Sequence, residues 1–61
     1  MKVGVIYRND RMDLTMTVLA VTEKDVTVQM SDSYQPSRRV VFDREGFVKS
    51  LGTGRYIIVK R

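Results

Sequence analysis

The chain has 61 residues, 43% of them hydrophobic and 30% charged, with a formal charge of +4 and neither cysteine nor histidine. A chain of this size forms one domain, expected over residues 1–61, that buries only about 60% of its unfolded surface; the core is thin, but the composition is that of a folding chain. The missing residue types exclude disulfides, thiolate or imidazole metal ligands and the usual nucleophile–base pairs, leaving seven carboxylates as the acidic groups available for chemistry.

In chain order, Val3, Val5 and Tyr7 alternate with Lys2, Gly4, Ile6 and Arg8, the period of two expected of a first strand with one buried face. Asn9 to Asp13 is a polar connector whose Asn and Asp side chains can bond their own backbone, so a turn is predicted. Leu14, Met16, Val18 and Ala20 then share a face opposite Thr15 and Thr17, while Leu19 and Val21 make the second face apolar further on. That change predicts a bent strand of the kind that crosses a barrel corner. Thr22 to Asp25 closes a hairpin, and Val26, Val28 and Met30 return with Thr27, Gln29 and Ser31 outward.

Residues 31–37 form a polar stretch with the single proline, Pro36, and read as an exposed loop. Arg38 to Phe42 is a fourth strand, with Val40 and Phe42 on one face and Arg39 and Val41 on the other. Asp43 is placed to cap a short helical turn with Phe47, Val48 and Leu51 on one side and Gly52 as a left-handed stop. Gly54 leads into a β-branched last strand, Arg55 to Arg61, ending in two cations. The expected fold is all-β: a five-stranded SH3-like small barrel or strongly bent antiparallel sheet, with one short helical turn before the last strand.

Two resemblances accompany this order. The segments Val3 to Asp10, Arg39 to Asp43 and Gly54 to Val59 together look like small uncharacterised proteins of phage and bacterial genomes. Val18 to Val21, Val26 to Val28 and Phe42-Asp43-Arg44-Glu45 are similar to the central strands and following basic turn of the carbon storage regulator family of dimeric messenger-RNA-binding proteins. That second resemblance implies RNA contacts at Arg44 and Arg8, although a strand at Tyr56 to Lys60 stands where that family has a helix.

Charge is unevenly spread. Residues 1–30 are neutral overall, and the whole surplus lies in residues 31–61, where Arg38, Arg39, Arg44, Lys49, Arg55, Lys60 and Arg61 face only Asp32, Asp43 and Glu45. Arginine bonds phosphate bidentately and aromatic rings stack on unpaired bases, so the expected partner is nucleic acid, DNA or RNA. Its face is expected from Arg38, Arg39, Arg55, Lys60 and Arg61, with Tyr34 as the stacking group and Arg8, Arg44 and Lys49 at the periphery. The plain alternative is that these cations keep a small β protein soluble and protect its edge strands.

Other patterns point away from chemistry. Gly52-Thr53-Gly54-Arg55 lacks the strand before and helix after that a phosphate-cradling loop needs, and reads as a turn. Asp10 with Asp13, and Asp43 with Glu45, do not have calcium-loop spacing and read as turn and cap residues. No catalytic activity, cofactor or metal is expected. Met16 and Met30 read as core, and Met12, if exposed in its connector, favours a protein partner. The long loop with Tyr34 and Pro36 and the charge-balanced N-terminal half make a protein target, reached through a strand edge or the 31–37 loop, the alternative function, and a homodimer through edge-strand pairing is compatible with either. Met1 to Gly4 lacks the features of a secretory signal and no apolar run approaches the ~20 residues of a membrane span, so a cytoplasmic location is expected.

Overall fold

The computed structural model describes residues 1–61. Five strands, β1 (Ile6–Asn9), β2 (Leu14–Val21), β3 (Asp25–Ser31), β4 (Arg38–Asp43) and β5 (Ile57–Lys60), form one sheet, and the helix α1 (Arg44–Leu51) lies between β4 and β5 in the chain. The order across the sheet is β4-β3-β2-β1-β5, with every neighbouring pair antiparallel. The strand count, the antiparallel pairing and the helix before the last strand are those the sequence predicts. The sheet is open rather than a closed barrel, because β4 and β5 occupy opposite edges and do not pair.

Alternation assigns the two faces. On one face, cross-strand register aligns Arg38, Met30, Met16, Tyr7 and Ile58 in a row, with Val40, Val28 and Val18 in the next row and Phe42 beside Val26 in a third. This is the core face. Val18, Val26 and Val28 at its centre are fully buried, and Phe47 from α1 seals it, stacking against Phe42 at 5.5 Å and edge-on to Tyr7 at 6.2 Å. Only 10 residues are buried, nine of them hydrophobic, so each contributes a large share of the stability of so small a domain.

The change of pattern in β2 has a local cause. The β2–β3 register shifts between Val18 and Ala20, so Leu19 is an extra residue and the phase of the strand inverts beyond it. Val21, not Ala20, then packs on the core, and Ala20 is exposed. The bend predicted for a barrel corner is a bulge in an open sheet.

Three boundaries also differ from the sequence reading. β1 starts at Ile6, because Gly4 at φ +92° turns the chain and its N–H bonds the Val18 carbonyl at 2.8 Å. In α1 the Asp43 carboxylate accepts from the Gly46 N–H at 3.0 Å, the predicted cap, but Val48 faces outward while Phe47 and Leu51 face the core. Gly52 is right-handed at φ −73°, and the left-handed residue is Gly54 at φ +80°. The strand β5 is shorter than predicted, with Arg55 and Tyr56 in the approach to it and Arg61 beyond it.

Candidate functional site

The predicted cationic set is divided by this topology. Arg38 and Arg39 lie on opposite faces of β4, at the sheet edge furthest from β5. Arg38 pairs with Met30 on the core face, and its guanidinium contacts Asp32 at 3.3 Å and the Met30 sulfur at 3.4 Å. Arg39 is on the open face, in a row that runs Arg39, Gln29, Thr17, Ile6, Lys60. Four strand spacings separate Arg39 from Lys60, about 19 Å. The five residues expected to share a face therefore do not form one cluster.

The peripheral cations are mostly engaged. Arg8 donates to Asp10 and Asp13, both at 2.7 Å, and to the Thr15 hydroxyl at 2.8 Å. The Asp13 and Asp10 hydrogen bonds raise the Arg8 pKa, which fixes it as a cation already matched by two carboxylates. Lys49 lies 3.7 Å from Glu45 one helical turn away, and Arg44 donates to the Thr22 carbonyl at 3.0 Å, tying α1 to the β2–β3 turn. Tyr34 is 88% exposed at the tip of the 31–37 loop. The other two tyrosines serve the core face, Tyr7 buried and Tyr56 half-buried, so the open face carries no aromatic platform.

The 31–37 loop is built rather than slack. The Asp32 carboxylate accepts the N–H groups of Tyr34 and Gln35, both at 2.8 Å, and also meets Arg38. The Tyr34 and Gln35 amides, with Arg38 assisting, hold the Asp32 carboxyl below the ordinary value for aspartate. Ser33 donates to Asp13, which joins this loop to the β1–β2 turn.

What sequence reasoning left unmarked is the aliphatic run Ile57-Ile58-Val59 of β5, whose flanking cations alone it singled out. All four of its residues are exposed, with Ile57 at 53%, Ile58 at 47% and Val59 at 55%. β5 is an edge strand, paired with β1 on one side only, and the register shift opposite Ile6 and Tyr7 leaves Val59 without a cross-strand partner. Beside it on the core face is a groove of about 590 Å³ lined by Met1, Val3, Val5, Tyr7 and Ile58, with Lys2 and Arg61 as its charged residues. The groove lies to one side of α1, which packs chiefly on β3 and β4 and reaches Tyr7 only through Phe47, leaving Ile58 at the β5 edge exposed. The β-branched run Ile57-Ile58-Val59 was the available signal, but it reads as core until its edge position is known.

No three carboxylates are arranged so that they could hold a metal ion, and no helix is long and apolar enough to cross a membrane. Met12 is exposed in its turn. In comparisons with known proteins, no family model, no curated protein and no solved structure matches this chain.

Proposed function

We propose that this domain is an interaction module that recruits a partner protein by accepting an extended segment along the outer edge of β5. One observation carries the reading: an aliphatic edge strand exposed on both faces, whose outward N–H and C=O groups have no strand beside them. Strand addition satisfies those groups and buries Ile57, Ile58 and Val59 between two neighbours instead of one. The adjoining groove supplies further apolar wall, and exposed Met12 and Tyr34 are consistent with protein contact.

The test compares capture by the wild-type chain and by V59K from nuclease-treated lysate. Val59 has no cross-strand partner in β1, so a lysine there changes stability by only about 0.5 kcal/mol or less. A stoichiometric protein retained by the wild type and by R39Q but lost with V59K supports the reading. Capture indifferent to V59K, or abolished by nuclease, rejects it.

A second reading, nucleic-acid binding, is favoured by the open face. Arg39 and Lys60 terminate a row of Gln29, Thr17 and Ile6, and neither cation has an acidic partner. Such a face tracks a phosphate backbone through charge alone, so binding is weak and falls as salt rises. Oligonucleotide binding that is undetectable at low salt, or insensitive to salt, eliminates it.

A further inference from the structure

We infer that the segment received by β5 is acidic at both ends and apolar in the middle, an inference that rests on the strand-addition reading above. The cations around this edge are placed as a pair of brackets. Arg55 precedes Ile57-Ile58-Val59 and Lys60 and Arg61 follow, while Lys2 and Arg61 line the adjoining groove. Arg55, Lys60, Arg61 and Lys2 make no ion pair within the chain, and neither β5 nor the groove includes an acidic residue.

The seven residues from Arg55 to Arg61, of which Ile57–Lys60 are strand, reach at most about 20 Å, the length of a seven-residue partner strand. A partner residue lying over Ile58 prolongs the row of Met30, Met16, Tyr7 and Ile58, and one over Ile57 prolongs the row of Thr15, Arg8 and Ile57. Three apolar residues fit that centre, and carboxylates on either flank meet Arg55 at one end and Lys60 and Arg61 at the other. The pattern is the same read in either direction.

The same placement argues against a second copy of this chain as the occupant. A two-fold pairing of β5 with itself is antiparallel. Centred on Ile58 it sets Arg55 opposite Arg61, and shifted by one residue toward Ile57 it sets Arg55 opposite Lys60, like charges that destabilise a strand pair; shifted by one residue toward Val59 it sets Lys60 opposite Ile57 and Arg61 opposite Tyr56, which gives up the apolar match. An acidic strand meets the same cations as attraction.

The experiment titrates the whole chain with a capped peptide of Val-Ile-Val flanked on each side by two glutamates. Fluorescence anisotropy measures affinity and hydrogen exchange follows the β5 amides. The glutamate peptide is expected to slow exchange in β5 and to bind about tenfold or more tighter than the same peptide with lysines. The double variant K60E/R61E, confirmed as folded by circular dichroism, is expected to reverse that preference. Equal binding of the two peptides with β5 protected overturns the acidic preference and leaves strand addition standing. Unchanged binding after N-methylation of alternate peptide amides along each edge in turn, or no β5 protection with any peptide, overturns strand addition itself. A single-stranded oligonucleotide that displaces the glutamate peptide without protecting β5 assigns these cations to a polyanion and overturns the inference. So does a peptide-free dimer in sedimentation that V59K dissociates.

Discussion

Asn9 is 2% exposed, the one polar residue in the buried set, and its side-chain oxygen accepts the N–H groups of Arg11 at 3.1 Å and Met12 at 3.3 Å. It thereby holds the β1–β2 turn closed while Asp13 takes a left-handed φ of 49° that aspartate tolerates. Asn9→Ala leaves both amides without their acceptor and is expected to cost about 1–3 kcal/mol in urea unfolding. Asp32 does the parallel task in the 31–37 loop, and its pH dependence has a definite sign. Its folded pKa is depressed, so its contribution is complete above the ordinary value of 3.8 and is lost as pH falls through the lower folded value. The carboxyl carbon resonance of Asp32 is expected to titrate below 3.8, in step with loss of the loop's amide dispersion. The polar character of both turns was legible in the sequence; the joining of the two through Ser33 and Asp13 was not, since it depends on which loops meet at one end of the sheet.

At the scale of elements, α1 illustrates what pattern conveys and what it omits. The cap at Asp43 and the inward Phe47 follow from residue type and spacing. The outward Val48 does not, because a two-turn helix lying on one side of a sheet offers only a narrow buried stripe. Phe47 touches both Phe42 and Tyr7, so Phe47→Ala is expected to cost about 3–5 kcal/mol, enough to unfold much of a population so thinly cored. Val48→Ala is the control, expected to change stability by about 0.5 kcal/mol or less, and thermal circular dichroism distinguishes the two. In β2, alternation identified Leu14, Met16 and Val18 correctly, then failed at Ala20 because one inserted residue reverses the phase of all that follows.

At the scale of the whole molecule, the sequence conveyed the composition of the sheet but not its order. Local hairpins made β1 to β4 predictable neighbours; the place of β5 beside β1 depends on a crossover that no short-range pattern encodes. That one unknown governed the functional reading. With β4 and β5 adjacent, as closure into a barrel requires, Arg38, Arg39, Arg55 and Lys60 share a neighbourhood; at opposite edges, they flank two separate surfaces.

The placement of β5 also sets an order of events in time. Each of the pairs β1–β2, β2–β3 and β3–β4 joins segments adjacent in the chain, whereas β1–β5 closes a loop of nearly the entire polypeptide. Loop closure of that span carries the largest entropic cost of the four, and β5 contributes no fully buried side chain to offset it. β5 is therefore the strand expected to dock last and to detach first, and native-state exchange should show its amides opening at lower free energy than those of β2 and β3. A sheet that transiently sheds this strand uncovers the flank of β1, giving an incoming segment a choice between adding beside β5 and replacing it.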